Sequence, residues 1–238
     1  GGRYRAPASR TSTLSEPASL RIETRQSVNR LGLDDDLLDR VFAARGITEP
    51  SQLERGLSNL LSPADLPEID QAAKRLADAV VEDQKILIVG DFDADGATSV
   101  ALCLLALRAM GARQVDFLVP NRFDYGYGLS PEIVQLAAAM EPRVIVTVDN
   151  GVASVDGVAL ANELGIDVVV TDHHLPGDVL PNAFALVNPN VGGSFGSKAM
   201  AGVGVAYYLL SWVRQALRQR QHFVSRGIDE PNMAQYLD

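Results

Sequence analysis

Two features are scarce in this sequence: cysteine and long runs of apolar residues. The 238 residues include one cysteine, Cys103, which excludes an intramolecular disulfide framework and favours a reducing compartment, the cytoplasm. No apolar run reaches the eighteen or more residues that a transmembrane helix needs. The first thirty residues also lack the apolar segment of a signal peptide. We therefore expect a cytoplasmic protein without a membrane partner.

Basic residues are in the minority, and their distribution is uneven. The chain has 21 Lys and Arg against 30 Asp and Glu, a net charge of -9 that by itself argues against a nucleic-acid-binding protein. Residues 1–30 contain six arginines and two glutamates, whereas the remainder contains 15 basic and 28 acidic side chains. If many of those acids bind metal ions, net charge is a poor guide to the partner.

The sequence changes character twice along its length. Residues 1–28 are rich in Arg, Ser, Thr and Pro, which predicts a disordered tail. Residues 29–84 have helical periodicity interrupted by Gly46 and several prolines, which predicts a small helical lead-in. From residue 85 to 238, short runs of Val and Ile alternate with helical stretches, and we expect this part to form the main domain.

The apolar runs of the main domain are predicted to be β-strands. KILIVG, QVDFLVP, RVIVTV, DVVVT and AFALV have no polar alternation, which indicates strands buried on both faces. The stretches between them are predicted to be crossover helices, one of which has Ser130 as its N-cap and Pro131 as its first residue. A last helix is expected over about residues 198–220. The predicted fold is α/β, with a parallel doubly wound sheet and helices on both faces.

Polar residues follow each of the five predicted strands, at the edge where an open parallel sheet binds its ligand. The five segments are DFDADG, NRFDYGYGL, DNG, DHH and NPN. In the first segment Asp91, Asp93 and Asp95 alternate along the chain. Three carboxylates this close repel one another unless a cation neutralises them, so this segment predicts a metal site.

Two other strand ends add ligands of a similar kind. Asp149 follows the third strand, and His173 and His174 follow the fourth, beside Asp172. Oxygen ligands with one or two imidazoles suit Mn²⁺ or Mg²⁺, whereas zinc more often binds Cys or additional His. With at least four carboxylates at one edge, we expect two ions that share an aspartate. Such a pair clamps the attacking and leaving oxygens of a displacement at phosphorus.

Each motif also has an ordinary structural interpretation. DxD after a strand often caps a helix, DNG is often a turn, and paired histidines on a surface loop are commonly inert. The acidic run 34–36 is predicted to cap a helix, Trp212 to pack in the core, and His222 to be solvated on a polar helical tail. The metal-site interpretation is favoured because all the motifs lie at one edge of one predicted sheet.

In their order and positions, DFDADG, DNG and DHH resemble the DHH superfamily of phosphoesterases. NRFDYGYGLSPEIV, SKAMAGVGVAYYLL and RGITEP resemble its RecJ branch, the single-strand-specific 5′-to-3′ DNA exonucleases of repair and recombination. The resemblance covers about residues 30–238 and implies a hydrolase that uses two Mn²⁺ or Mg²⁺ ions. It also implies single-stranded DNA as substrate, with a single-strand-binding protein or a helicase as a further partner.

The resemblance implies a role for each site residue. The metal ligands it implies are Asp93, Asp95, Asp149 and His173, with Asp149 bridging. It implies catalytic roles for His174, Asp172 and Asp91. His174 would contact the scissile phosphate or protonate the leaving oxygen, and the two aspartates would bind metal or orient its ligands. The substrate-binding positions it implies are Arg122, Tyr127, Gly128, Lys198, Gly202 and Gly204.

The sequence departs from the family pattern after its PNMAQYLD stretch. Family members continue there with a further metal-binding aspartate, a DHHA1 domain and, in this branch, an OB-fold. We therefore expect this sequence to be truncated before those parts, and to bind metal and cut DNA poorly by itself. Local basic and aromatic groups are expected to bind the strand, and the clear basic cluster outside the tail comprises Arg214, Arg218, Arg220 and Arg226.

Two other functions stay open at this point. The first is a phosphoesterase of the same superfamily that acts on short oligoribonucleotides or cyclic dinucleotides. Such relatives tend to carry a histidine four residues ahead of the first central aspartate, where this sequence has Val89. The second is a non-catalytic replication scaffold that keeps the fold but has lost metal ligands. The complete DFDADG and DHH motifs argue against it.

Overall fold

The structure is a computed structural model that describes residues 30–54, 60–121 and 126–237. The predicted tail, residues 1–28, lies outside the described residues, and so does Arg122. The chain divides into two compact units, Gly1–Asn59 and Leu60–Asp238. In the first unit the described residues form helix α1, Asp36–Ala44, and a 3₁₀ turn, Pro50–Leu53.

Helix α1 begins at the acidic run, where a cap was predicted. The Asp35 carboxylate accepts hydrogen bonds from the backbone N–H groups of Leu37 (2.8 Å) and Leu38 (3.0 Å). These bonds satisfy two donors that the first turn of a helix leaves unpaired. Asp39 is buried instead, and its carboxylate accepts a 2.6 Å hydrogen bond from the Leu31 N–H. The predicted capping role is thus confirmed at Asp35.

The second unit is built on a parallel sheet with the strand order β2-β1-β3-β4-β5. The chain winds outward in one direction from β1 to β2 and in the other from β3 to β5, so the strand order reverses between β1 and β3. All five predicted strands are confirmed. They are β1 Ile86–Gly90, β2 Val115–Leu118, β3 Val144–Val148, β4 Asp167–Thr171 and β5 Ala185–Val187.

Helices cover both faces of the sheet, which confirms the predicted doubly wound α/β fold. Side chains alternate along each strand, so that Ile86 and Ile88 lie in one core and Leu87 and Val89 in the other. Ser130 caps its helix by accepting a hydrogen bond from the Ile133 N–H, as predicted. The helices are α2 Ile69–Val81, α3 Ala94–Ala109, α4 Pro131–Ala138, α5 Val155–Glu163, α6 Gly202–Gln219 and α7 His222–Arg226.

The two cores are formed by different sets of helices. Helices α2, α3 and α6 pack on one face of the sheet, and α4 and α5 pack on the other. Two short 3₁₀ turns, Pro63–Asp65 and Met233–Tyr236, lie near the ends of the unit's sequence. Within the three described ranges, no helix combines the length and the apolar character that crossing a membrane requires.

Helix α2, which was predicted as part of the helical lead-in, packs within the second unit. Its residues Ile69 and Leu76 lie in the same core as β1. Its Arg75 side chain donates a 2.6 Å hydrogen bond to the Asp167 carboxylate at the start of β4. The boundary between the two compact units falls between residues 59 and 60 of the sequence. The predicted domain division at residue 84 stays a prediction.

His222 is not the solvated surface residue that its polar sequence context predicted. The residue is 3% exposed, and its Nε2 lies 3.0 Å from the carbonyl oxygen of Met110. The chain turns at Gln221, whose φ is 56°, so α7 packs against the end of α3 instead of extending α6 into solvent. Burial lowers the pKa of the His222 imidazole. Trp212 packs against the same core, as predicted.

The start of α5 approaches the backbone just before α4 so closely that only glycine fits. A Cβ atom added to Gly157 would lie 1.8 Å from the carbonyl oxygen of Leu129, which is backbone and cannot rotate away. We expect Gly157→Ala to lower the free energy of unfolding by about 1–3 kcal/mol, measured by urea denaturation. Gly177→Ala is the matched control, because nothing lies within 4 Å of its added Cβ. Equal stability of the two variants would contradict this packing.

Candidate metal centre

The predicted metal ligands lie at the carboxyl ends of β1, β3 and β4. The first two strands are the pair between which the strand order reverses, and open α/β sheets bind ligands in the crevice at that point. The segments 91–95, 149–151 and 172–174 follow these strands directly. The fold therefore brings together residues that are separated by about eighty positions in the chain.

Asp91 and Asp93 both bind backbone groups at the start of α3. The Asp91 carboxylate accepts a 2.8 Å hydrogen bond from the Phe92 N–H. Asp93 is the N-cap of α3, and its carboxylate accepts a 3.0 Å hydrogen bond from the Gly96 N–H. The ordinary interpretation of a DxD motif as a helix cap therefore holds for Asp93. A carboxylate has about four lone-pair sites on its two oxygens, so a capping aspartate can also be a metal ligand.

Asp95 connects α3 to the start of α6. Its two carboxylate oxygens accept hydrogen bonds from the N–H groups of Gly202 (2.7 Å) and Val203 (2.8 Å). A helix N-terminus carries partial positive charge and unpaired N–H donors, so a carboxylate is stabilised there. This bond holds Gly202 against Asp149: a Cβ added to Gly202 would lie 2.7 Å from Asp149 Oδ1. Gly202 thus permits a close approach of the α6 backbone to Asp149, and its implied contact with substrate stays a prediction.

Asp149 is more buried than Asp91, Asp93 and Asp95. The residue is 2% exposed and has a φ of 62°, a left-handed conformation that is uncommon outside glycine. His173 Nε2 lies 3.0 Å from Asp149 Oδ1, within ion-pair distance. That oxygen nevertheless has no hydrogen-bond partner among the described residues. A buried acceptor without a partner is costly, and its presence here is explained if a cation binds it.

Two sets of side chains can each offer three ligand atoms that lie within 4.8 Å of one another. One set is Asp149, His173 and His174, and the other is Asp91, Asp93 and Asp149. Carboxylate oxygens with imidazole nitrogens fit Mn²⁺ or Mg²⁺, and Asp149 Oδ1, which accepts no hydrogen bond from the described residues, supplies a point of attachment. Asp149 belongs to both sets, which is consistent with the bridging role implied by the family resemblance. The individual ligand assignments, including Asp95, stay predictions.

The surroundings of Asp149 disfavour its charge. Burial of the carboxyl, together with repulsion from Asp95 and Asp93, raises the pKa of Asp149 to about 7, although His173 and His174 act in the opposite direction. A divalent cation would remove this repulsion, because the carboxylates would then face positive charge. The electrostatics of the edge therefore favour a bound cation over a metal-free, fully ionised site.

The side chain of Asp172 organises the loop that carries both histidines. Its Oδ1 accepts hydrogen bonds from the N–H groups of His173 (2.7 Å) and His174 (3.1 Å) and lies 2.7 Å from His174 Nδ1. Its Oδ2 accepts a 2.8 Å hydrogen bond from the Val152 N–H. With four partners and 1% exposure, this carboxylate is arranged to orient the histidines. Of the two roles predicted for Asp172, the geometry favours orientation over metal binding.

His174 stands at the mouth of the site. Its side chain is 47% exposed, and Tyr127 Oη lies 3.2 Å from its Nδ1 and 3.1 Å from the Asp149 carbonyl oxygen, to which the hydroxyl donates. Burial lowers the pKa of His174, but the hydrogen bond and charge of Asp172, with Asp149 and Asp91, outweigh burial and raise it overall. A protonated imidazole at this position can donate a proton to a bound phosphate ester.

A cleft of about 420 Å³ opens beside His174. Its walls include Tyr127, the start of α4 at Ser130, the start of α5 at Ser154, and the exposed side chain of Leu175. The volume is within the range of pockets that hold small molecules. The cleft is therefore large enough to admit part of a substrate next to the histidine.

Gly128 and Gly204, predicted as substrate-binding positions, are both sterically restricted. Gly128 has a φ of 78°, and an added Cβ would lie 3.0 Å from Ser154 Oγ. A Cβ on Gly204 would lie 2.7 Å from Met200 Cγ. These contacts explain the glycines through packing, and the predicted contact of either residue with substrate stays a prediction.

Lys198 differs from the free phosphate contact that was predicted. Its Nζ donates a hydrogen bond to the Pro189 carbonyl oxygen in the loop after β5. The amide of Asn190 lies 3.5 Å from the Lys198 carbonyl oxygen, so two contacts hold Lys198 to this loop. Contact with phosphate stays a prediction for Lys198, and the Arg122 assignment lies outside the described residues.

The predicted basic cluster on α6 and α7 is bound to groups of the same chain. Arg218 pairs with Glu230 through its Nε at 2.9 Å, and Arg220 pairs with Asp78 at 2.7 Å. The remaining two arginines donate to backbone carbonyl oxygens, Arg214 to Pro231 and Arg226 to Val81. Much of this positive charge is compensated locally, so a role of these arginines in strand binding stays a prediction.

The site also depends on asparagines to which the sequence had assigned no role. Asn150 Nδ2 donates hydrogen bonds to the carbonyl oxygens of Val148 (2.9 Å) and Val89 (3.2 Å), which joins the ends of β3 and β1. Asn188 and Asn190 bind the histidine loop from the end of β5. The only sequence signal for them was their position after predicted strands, in DNG and NPN.

The pKa of Asp149 predicts how pH and metal affect stability. An aspartate in an unfolded chain has a pKa of about 3.9, so the higher native value means that the native state binds this proton more tightly. The stability that this group contributes is therefore lost as pH rises from about 4 to 7. In metal-free protein, we expect the melting temperature of the wild type to fall relative to that of Asp149→Asn as pH rises over this range.

Mn²⁺ is expected to offset this loss of stability in the wild type. It should raise the wild-type melting temperature, and by more at pH 8 than at pH 5, because the ion binds the deprotonated carboxylate. Asp149→Asn should show little of this increase. Differential scanning fluorimetry at the two pH values, with Mn²⁺ or with a chelator, measures both effects. A wild-type melting temperature that is unchanged by Mn²⁺ and by chelator would contradict the proposed metal centre.

Comparison with known proteins identifies relatives of this site. Residues 85–234 match the model of the DHH family, N-terminal domain. The protein named single-stranded-DNA-specific exonuclease RecJ from Dickeya dadantii (strain 3937) is 55% identical over 203 residues, which cover 85% of this chain and 35% of the relative. This chain therefore spans about a third of the length of the RecJ relatives that it matches at 51–55% identity.

Solved structures of RecJ proteins are similar in fold. The crystal structure of exonuclease RecJ bound to manganese aligns with a TM-score of 0.61 and 31% identity over 72% of this chain and 41% of that chain. RecJ from Thermus thermophilus in complex with Mn²⁺ aligns with a TM-score of 0.62 and 28% identity over 82% of this chain and 26% of that chain. Residues 85–234, which match the family model, include every motif at the edge of the sheet. The chain therefore belongs to the DHH family.

Proposed function

We propose that the gene product containing this chain is a metal-dependent exonuclease that hydrolyses phosphodiester bonds of single-stranded DNA from the 5′ end. Membership of the DHH family and the names of its RecJ relatives support this function. The manganese bound in two related RecJ structures supports Mn²⁺ as the cofactor, and the oxygen and imidazole ligands of the site also suit Mg²⁺. A single-strand-binding protein or a helicase as partner also stays a prediction.

One observation carries the proposal: two sets of candidate ligands share Asp149, and they lie beside an exposed histidine. A shared carboxylate is the arrangement that holds two divalent ions a few ångströms apart. His174 belongs to one set, yet its Nδ1 is held by Asp172 and its ring borders the cleft. An ion pair next to a proton donor is suited to phosphodiester hydrolysis.

The side chains of this chain divide the chemistry between them. Divalent ions bound here would activate a water molecule and stabilise the negative charge that develops on the phosphate. Asp149, Asp93 and Asp91 would hold those ions, and the buried Asp172 would keep the histidine loop in register. Exposed and with a raised pKa, His174 would donate a proton to the departing 3′ oxygen.

The two alternative functions, a small-substrate phosphoesterase and a non-catalytic scaffold, have weaker support in the structure. Phosphoesterases of the superfamily that act on small substrates tend to carry a histidine where this chain has Val89. Val89 is 1% exposed and packs in the core with α4 and α5, so no imidazole is available from this position. A scaffold without activity has no need for a buried carboxylate such as Asp149, one oxygen of which accepts no hydrogen bond from the described residues.

A substrate panel tests the proposed function. We expect the full-length gene product with Mn²⁺ to release nucleotides from 5′-phosphorylated single strands, but not from duplexes or from a cyclic dinucleotide. Asp149→Ala should abolish release because it removes the shared ligand, and circular dichroism should show that the fold is kept. Activity on the cyclic dinucleotide alone would support the small-substrate alternative. Mn²⁺ binding without any hydrolysis would support the scaffold.

His174→Ala separates proton donation from metal binding. If His174 is the proton donor, kcat should fall by about 100- to 10,000-fold, because general acid catalysis contributes a factor of that size. The affinity for Mn²⁺, measured by isothermal titration calorimetry, should change little. A large loss of Mn²⁺ affinity would instead identify His174 as a metal ligand. His173→Ala provides the comparison, since it is expected to weaken Mn²⁺ binding.

A further inference from the structure

The loop that carries His173 and His174 is held from two sides. On one side the Asp172 carboxylate accepts hydrogen bonds from the N–H groups of both histidines. On the other side the carbonyl oxygen of His173 accepts a 2.6 Å hydrogen bond from Asn190 Nδ2. The carbonyl oxygen of His174 accepts a 2.9 Å hydrogen bond from Asn188 Nδ2. Every backbone polar group of the two histidines is therefore bound to a side chain.

The two asparagines also hold each other. Asn188 Oδ1 accepts a 2.8 Å hydrogen bond from the Asn190 N–H, so one amide binds the loop and the backbone of its neighbour at once. Asn188 is fully buried at the end of β5, the strand next to the one that leads into the histidines. The pair is thus anchored to the sheet, and its position follows the position of β5.

This anchoring matters because residues 172–174 belong to neither a helix nor a strand. A loop without a hydrogen-bond ladder has many conformations, and fixing one residue's backbone costs about 1–2 kcal/mol. His173 Nε2 must stay near Asp149 Oδ1 if the two are to bind one ion, and its present distance is 3.0 Å. A shift of the loop would move both imidazoles together. Groups that bind the loop backbone therefore control the geometry of the metal centre.

We propose that Asn188 and Asn190 are positioning residues that fix His173 and His174 by binding their backbone carbonyl oxygens. Lys198 extends this clamp, because its Nζ donates to the Pro189 carbonyl oxygen and its own carbonyl oxygen faces Asn190. The clamp rests on the proposed function only for its effect on hydrolysis. Its effect on Mn²⁺ binding is independent of the substrate.

The decisive variant is Asn190→Ala in the full-length gene product. Substitution of residues that support metal-binding histidines typically lowers metal affinity or activity by about 10- to 100-fold. We therefore expect Asn190→Ala to weaken Mn²⁺ binding by about 10-fold. Isothermal titration calorimetry with Mn²⁺ measures this loss without any substrate. With single-stranded DNA, kcat should fall while KM stays near the wild-type value, because the asparagine acts through the histidines and does not contact the strand.

Asn162→Ala is the matched control. Its Nδ2 donates a 2.9 Å hydrogen bond to the Asn182 carbonyl oxygen, so the variant removes the same kind of bond outside the site. It should leave Mn²⁺ affinity and kcat unchanged. Wild-type Mn²⁺ affinity in Asn190→Ala, or an equal loss in Asn162→Ala, would overturn the proposal. Asn188→Ala should reduce both Mn²⁺ affinity and kcat if it folds, but the proposal is decided by Asn190→Ala.

The two proposals fail in different ways. If the wild type binds Mn²⁺ but hydrolyses no single strand, the proposed function is wrong, and the calorimetric comparison of Asn190→Ala with Asn162→Ala still decides whether the clamp exists. If the wild type hydrolyses single strands and Asn190→Ala matches it in both Mn²⁺ affinity and kcat, the clamp is wrong and the proposed function stands.

Discussion

Repulsion among carboxylates at one edge of the sheet is the constraint on which the site depends. Asp149 is almost fully buried, faces Asp93 and Asp95, and has a pKa raised to about 7. A carboxylate in these surroundings lowers stability when it is ionised, because burial and repulsion from Asp95 and Asp93 both disfavour its charge. The surrounding structure is understandable as a frame that holds these carboxylates in place for a cation.

The frame is built from contacts between distant elements. The bond from Asp95 to the start of α6 brings Gly202 against Asp149, and the absence of a side chain at Gly202 makes that approach possible. On the opposite side, Asp172 and the asparagines after β5 fix the backbone of the histidine loop. The ends of strands β3, β4 and β5 and the starts of helices α3 and α6 thus determine the positions of a few side chains, because rigid elements position such groups accurately.

The predictions that were wrong or incomplete share a cause. His222 was predicted to be solvated, but it lies against the Met110 carbonyl, 112 positions away in the chain. Lys198 and the arginines of α6 and α7 were expected to bind the strand, which stays a prediction, but their partners in the same chain were not foreseen. A single sequence states the charge of such residues but not their neighbours. Burial and pairing depend on chain segments that the fold brings together.

The sequence by itself determined the strands, their order of appearance and the edge at which the chemistry lies. Apolar runs, helix caps and polar strand ends are local signals, and a parallel sheet must gather its strand ends at one edge. Only the tertiary structure decided that the Asp172 carboxylate accepts hydrogen bonds from both histidine N–H groups, that Asp95 reaches α6, and that Asn188 and Asn190 donate to the histidine loop. These roles arise from hydrogen bonds between residues on different elements, whose distances and directions no local pattern encodes.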